Sequence, residues 1–127
     1  MIKIQNLSKV FRTEEVETKA LNEIALEVKQ GEFITIMGAS GCGKSTLLNI
    51  VGLLDSASSG SYQLLGQEML GLSESEKSKI RKQNVGFIFQ NFNLIDELSV
   101  YDNIELPLIY NNVASSERKK KVEAIAE

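Results

Sequence analysis

One stretch of the sequence combines glycines, a lysine and hydroxyl side chains at a spacing that suits phosphate chemistry. Residues 33–46 read FITIMGASGCGKST, and Gly38 opens the pattern G-x-x-x-x-G-K-[S/T] within them. Because glycines let the backbone turn without Cβ clashes, successive N–H groups in such a loop can point at one anion. A helical pattern beginning near Lys44 adds orphan N–H groups and the positive end of a helix dipole.

The spacing of this motif predicts which residues contact which part of a nucleoside triphosphate. The predicted phosphate-binding residues are Gly38, Ser40, Gly41, Cys42, Gly43, Lys44, Ser45 and Thr46. The Lys44 ammonium can reach the β- and γ-phosphates, and the Ser45 hydroxyl suits Mg²⁺. A chance match in an ordinary strand–turn–helix is the alternative, which the complete motif between an apolar run and a helical pattern disfavours.

Composition limits the class of protein. The 127 residues have room for one domain, and an apolar content of 43% with mixed charges is typical of a soluble globular domain. The net charge of −3 shows no excess of positive charge, so nucleic acid is not an expected partner. The basic run 118–121 is interpreted as a solvated helix face, with a docking surface as the alternative.

The apolar stretches and the cysteine count indicate the compartment. No stretch approaches the length of a membrane span, and Lys3 and Gln5 make the first residues unlike a signal peptide. A cytosolic location is therefore expected. One cysteine excludes an intrachain disulfide. Because there is no histidine, a mechanism that needs a histidine base must obtain it from elsewhere.

Periodicity predicts strands first, then the helix of the phosphate loop, then a helical segment. Strands are predicted over residues 1–11, 20–28, 33–37, 61–65 and 85–89. The strand at 33–37 is expected to lead into the phosphate loop, and the continuous apolar character of 85–89 predicts a buried strand. Helices are predicted over 44–54, over 74–82 after a capping box at Ser73, from about Val100 with a distortion at Pro107, and over 117–127.

Five segments carry a joint pattern: residues 6–11 (NLSKVF), 20–26, 31–33 (GEF), the phosphate loop and 86–90 (GFIFQ). Together they resemble the nucleotide-binding domain of the ATP-binding-cassette (ABC) transporter family over nearly all of the chain. The resemblance implies an α/β, P-loop NTPase-like fold with an antiparallel β subdomain and a phosphate-loop strand and helix. It implies a nucleotide-binding core over about 1–90 and the start of the helical subdomain over about 91–127.

Three further segments resemble one subgroup of this family. They are LLD at 53–55, GFIFQNFNL at 86–94 and NIELPL at 103–108, which look like the lipoprotein-release, macrolide or antimicrobial-peptide export and cell-division ATPases. The resemblance implies an ATP-binding subunit that couples ATP binding and hydrolysis to transport. It also implies an integral-membrane permease as partner, a second nucleotide-binding domain, and a position on the inner face of the membrane.

The resemblance assigns roles to two residues outside the phosphate loop. Phe11 matches the aromatic residue that stacks on adenine, and Gln90 matches the glutamine that approaches Mg²⁺ and the attacking water. Lys44 and Gln90 are thus the implied catalytic residues, Ser45 and Gln90 the implied Mg²⁺ contacts, and Thr46 lies near the α-phosphate. Core packing is the alternative for Phe11, and a polar strand end is the alternative for Gln90.

Three motifs of the family do not occur in these 127 residues: the Leu-Ser-Gly-Gly-Gln signature, a strand ending in Asp-Glu, and the switch histidine. The segment 94–97 (LIDE) imitates the second, but three residues after Gln90 are too few to return to the sheet. We therefore expect an N-terminal part of a longer protein that binds ATP·Mg²⁺ and hydrolyses little by itself. A non-catalytic nucleotide-binding module and a small P-loop kinase, whose Arg-rich lid is not visible, are the alternatives.

Overall fold

The computed structural model describes residues 1–126 and divides the chain into two compact units, one of residues 1–86 and one that begins at Phe87. The first unit contains β1 (Ile2–Arg12), β2 (Glu17–Val28), α1 (Lys44–Val51), β3 (Ser59–Leu64), β4 (Gln67–Glu68) and α2 (Glu74–Asn84). The second contains α3 (Val100–Tyr110) and α4 (Ser115–Ala126). The predicted α/β class is confirmed, and the sheet is antiparallel.

The sheet has the strand order β2-β1-β3-β4, so β1 lies between the two strands that follow it in the chain. β1 and β2 form a hairpin in which Ile2 lies opposite Val28 and Arg12 lies opposite Glu17. The register shifts between Ile4 and Val10, which marks irregular pairing of the kind that β-bulges produce. β2 begins three residues before the predicted Ala20, because residues as polar as Glu17 pair at this exposed end of the hairpin.

The core lies between the sheet and α1. Buried apolar residues are two apart in β3 and three apart in α1, as the strand and helix periods require, whereas Ile4 and Leu7 of β1 are three apart across a register shift. Its fully or nearly fully buried members are Ile4, Leu7, Leu21, Leu47, Ile50, Leu53, Tyr62, Leu64 and Met69. The Tyr62 hydroxyl donates to the Val51 carbonyl oxygen at 2.7 Å, which ties β3 to the last turn of α1. Burial raises the pKa of Tyr62 to about 12.

The strands predicted over 33–37 and 85–89 are wrong, since the structure has no hydrogen-bonded strand at either place. A strand exists only where a neighbour completes its ladder, and the described residues supply no partner for these two runs. Only Ile36 of the first run and Val85 of the second pack against the core. Ile88 is 96% exposed, so the second run is not buried as predicted.

The helices agree better with their patterns. α2 begins after a complete capping box of Ser73 and Glu76, as predicted. α1 ends at Val51 rather than residue 54, because Leu53 adopts a left-handed conformation with φ of 58°. α3 contains Pro107, and α4 begins at Ser115, two residues earlier than predicted. Glu127, the predicted end of α4, lies outside the described residues.

The lengths of these helices bear on membrane insertion. Among residues 1–126, every helix is too short or too polar to span a bilayer.

Candidate functional site

The glycine-rich loop, residues 38–43, follows β2 and leads directly into α1. Gly41 and Gly43 have φ angles of 79° and 98°, in the left-handed region that other residues rarely adopt. A Cβ on Gly43 would collide with the carbonyl oxygen of Ala20 in β2, so the loop approaches this strand as closely as glycine allows. The sequence therefore needs glycine here for two reasons, backbone conformation and space.

The loop places the N-terminus of α1 at its centre. Gly43 is the N-cap residue, and no side chain within residues 1–126 caps the first turn. The first turn also carries no acidic side chain. The N–H groups of this turn and the positive end of the helix dipole thus face the loop. An anion in the loop would accept hydrogen bonds from these N–H groups.

Lys44 folds back over the loop. Its Nζ atom donates to the carbonyl oxygens of Gly38 at 2.8 Å and Ala39 at 2.6 Å. The same ammonium lies 3.6 Å from the Cys42 sulfur. These contacts place a positive charge between the two arms of the loop, beside the first turn of α1.

The remaining predicted loop residues differ in their exposure. Ser40, Gly41, Cys42 and Ser45 are exposed, whereas Thr46 is half-buried. The Cys42 sulfur fills the space beside Gly38, where a Cβ would come within 2.7 Å of it. The eight predicted residues thus lie in the loop and in the first turn of α1, with two hydroxyl side chains at the start of this helix.

Phe11 lies near the end of β1 and is 45% exposed, so it is not the core residue of the alternative interpretation. It pairs with Thr18 of β2. Ala20, which touches Gly43, is two residues further along the same strand, a distance of about 7 Å. Phe11 and the glycine loop therefore lie near the same end of β2.

Lys9 is a residue of this region that sequence reasoning missed. Its Nζ atom lies 4.9 Å from the centroid of the Phe11 ring. It donates to Asp55 Oδ1 and to the Ser56 carbonyl oxygen, each at 2.7 Å. Its position two residues before Phe11 places both side chains on the same face of a strand, which was a local signal for their contact. The partners that hold Lys9 in place, however, come 46 and 47 residues later in the chain.

The salt bridge between Lys9 and Asp55 favours the ionised form of Asp55. Burial by itself would raise the pKa of Asp55, but the Lys9 hydrogen bond and the Ser56 backbone N–H outweigh it, so this pKa lies below its usual value. The Lys9 side chain is 13% exposed and that of Asp55 34% exposed, so the pair is partly shielded from solvent. It connects β1 to the segment that follows α1.

Gln90 belongs to the second unit, where it lies exposed in a turn. The two preceding aromatic side chains, Phe87 and Phe89, have ring centroids 4.6 Å apart. Residues 1–126 contain no cluster of acidic, cysteine or histidine side chains that could hold a metal ion. The role of Gln90 stays a prediction.

Sequence comparison gives the family directly. The family model described as "ABC transporter" matches residues 21–127. The uncharacterized ABC transporter ATP-binding protein YknY of Bacillus subtilis is 39% identical over 127 residues, which are 100% of this chain and 55% of YknY. The macrolide export ATP-binding/permease protein MacB of Chlorobaculum tepidum is 46% identical over 119 residues, 94% of this chain and 18% of MacB.

Structural comparison agrees. A dimeric post-hydrolysis structure of the ATP-binding cassette MJ0796, bound to ADP and Pi, matches with a TM-score of 0.91 and 40% identity. The match covers 98% of this chain and 55% of that one. The chain thus spans about half the length of YknY and MJ0796 and less than a fifth of MacB. Its fold matches about half of an ABC cassette, and the chain belongs to the ABC transporter family.

Proposed function

We propose that this chain provides the ATP·Mg²⁺ site of an ATP-binding subunit in an ABC-type membrane transporter. The observation that carries the proposal is the geometry at the start of α1. An uncapped helix N-terminus, two left-handed glycines and the Lys44 ammonium converge on one loop. Each of these features favours an anion, and together they suit the charge of a triphosphate.

The residues present fit this ligand. In the proposed complex, the N–H groups of residues 40–46 bind the phosphates, and Lys44 exchanges its two loop carbonyls for the β- and γ-phosphate oxygens. Ser45 would hold Mg²⁺, which would neutralise phosphate charge. The Mg²⁺ contact that the resemblance implies for Gln90 stays a prediction. Phe11 offers an exposed ring face on which adenine can stack.

The relatives support the choice of subunit class. MacB of Chlorobaculum tepidum is a macrolide export ATP-binding/permease protein, in which both functions share one chain. The MJ0796 cassette is dimeric in its ADP and Pi complex. By this likeness we propose an export or lipoprotein-release transporter, with an integral-membrane permease and a second nucleotide-binding domain as partners. The subunit would then lie on the cytoplasmic face of the membrane.

The first prediction tests the phosphate loop. Lys44→Ala removes a charged donor from the loop, so we expect the Kd for ATP·Mg²⁺ to rise by about 10- to 100-fold. Isothermal titration calorimetry measures this. Lys82→Ala, which removes the same charge from the last turn of α2, is the matched control and should leave the Kd unchanged. Equal affinities of parent and Lys44→Ala would disprove the phosphate-loop assignment.

Phosphate release distinguishes the alternatives. These 127 residues contain neither the family's signature, nor its strand-ending Asp-Glu pair, nor its switch histidine, so we expect this polypeptide alone to bind ATP·Mg²⁺ with little hydrolysis. Lys44-dependent phosphate release at a rate typical of an ATPase would contradict this expectation. Transfer of the γ-phosphate to an added metabolite would instead support the kinase alternative.

A further inference from the structure

The contact between Lys9 and Phe11 has no part in the proposed phosphate site, yet it lies beside the proposed adenine site. The Lys9 ammonium is 4.9 Å from the ring centroid, within the range of a cation–π interaction. An exposed lysine side chain samples many rotamers, whereas this one is held by two hydrogen bonds of 2.7 Å. The cation is therefore fixed over one place on the ring.

A fixed cation has two effects on an aromatic ring. It occupies one face, so a flat ligand has only the other face on which to stack. It also restricts rotation of the ring, because leaving the cation costs the attraction between them. Phe11 is 45% exposed, which fits a ring with one covered face and one accessible face.

The residues that hold the Lys9 ammonium follow the C-terminus of α1. Asp55 and Ser56 follow the helix whose N-terminus forms the phosphate loop, and both contact Lys9. The segment that follows α1 thus holds the ammonium group that lies over the Phe11 ring.

We infer that Lys9 is a positioning residue for the base: held by Asp55 and Ser56, it orients the Phe11 ring so that one face is ready to stack on a purine. The inference rests on the proposed function, since it assumes a nucleotide in the phosphate loop. Lys9 contacts the ring rather than the ligand. Its contribution is preorganisation, so it should affect binding of the base and not binding of the phosphates.

The test compares ATP·Mg²⁺ with inorganic tripolyphosphate·Mg²⁺, which has the phosphates and no base. Isothermal titration calorimetry on the full chain gives both Kd values and their ratio. Lys9→Met should weaken ATP binding by about two- to fivefold, the size of an exposed cation–π contact, and leave tripolyphosphate binding unchanged. Lys9→Arg keeps the charge and should restore most of the ATP affinity.

Two further variants make the test specific. Lys3→Met removes the same charge from the start of β1 and should change neither Kd. Phe11→Ala should weaken ATP binding selectively, and in that background Lys9→Met should have no further effect, because the lysine acts through the ring. Thermal unfolding of each variant shows whether the fold is kept.

The outcomes separate the two proposals. If Phe11→Ala changes the ratio but Lys9→Met does not, the positioning role is overturned and the proposed function stands. Equal weakening of ATP and tripolyphosphate by Lys9→Met, or an effect that persists without Phe11, also overturns it. If Phe11→Ala leaves the ratio unchanged, no base stacks on this ring and both the stacking role and the inference fail.

Discussion

Gly43 combines two constraints that act on a single residue. Its φ of 98° is strained for any other side chain, and the space where a Cβ would be is taken by the Ala20 carbonyl oxygen. Gly31 has a similar φ of 80° but open space around it. Comparing substitutions at Gly31 and Gly43 therefore separates the free-energy cost of the left-handed conformation from the cost of a steric collision.

The second prediction uses this pair. Gly31→Ala should lower the free energy of unfolding by about 1 kcal/mol, the cost of a left-handed alanine. Gly43→Ala should cost about 2–4 kcal/mol, since the loop must also move away from β2. Chemical denaturation measures both values. Equal costs would show that the approach of the loop to Ala20 does not constrain the fold.

At the scale of elements, one carboxylate organises the β3–β4 hairpin. Glu68 accepts hydrogen bonds from the Ser61 hydroxyl at 2.5 Å and from the backbone N–H groups of Tyr62, Met69 and Leu70 at 3.0–3.1 Å. Burial alone would raise the pKa of Glu68, but these four donors outweigh it and lower the pKa below its usual value. This side chain thus adds to the backbone pairing that joins the short β4 to β3.

The third prediction follows from the sign of that shift. Because the folded protein holds Glu68 ionised more strongly than the unfolded chain does, its contribution is present above the ordinary glutamate pKa and is lost as the pH falls through the lowered one. Glu68→Gln should cost about 1 kcal/mol at neutral pH, a value reduced for solvent exposure. It should also flatten the acid side of the stability profile.

Denaturation at a series of pH values checks this. Glu14→Gln, in the loop between β1 and β2, removes the same charge and is the control. Asp55 and Glu76 also have lowered pKa values and remain in the variant, so the slope should decrease without vanishing. A parallel profile for Glu68→Gln and the parent would contradict the assignment.

At the scale of the whole molecule, the run before the glycine loop forms an apolar surface. Phe33 is 93% exposed and Met37 84% exposed. An open groove of about 450 Å³ lies beside Phe33 and is lined mostly by apolar residues of β1, β2, α1 and the run itself. Contiguous apolar surface of this kind favours association.

The fourth prediction concerns this surface. We expect the 127-residue chain to self-associate, and Phe33→Lys to reduce the association without lowering the melting temperature, since the side chain packs against little. Sedimentation velocity over a range of protein concentrations measures it. Val16→Lys, at an isolated residue that is 59% exposed, should have no effect. A parent chain that stays monomeric throughout would refute the prediction.

Local signals predicted much of the fold and the phosphate loop. The capping box at Ser73 and the glycine-loop spacing depend on neighbours within a few residues, and both appear as expected. The strand at 33–37 failed because a strand also requires a partner, which composition does not reveal. The Lys9–Asp55 contact spans 46 residues and depends on how α1 packs on the sheet. No pattern within either segment could therefore predict it.

The position of β1 in the sheet has a consequence for the order of folding. β1 and β2 are joined by only four residues, so their hairpin needs little loop-closure entropy and can form on the microsecond timescale. β3 must then reach the opposite edge of β1 across the segment that contains α1. The β1–β2 hairpin would thus form before the glycine loop is ordered. The phosphate loop would adopt its final conformation only when α1 packs against these two strands.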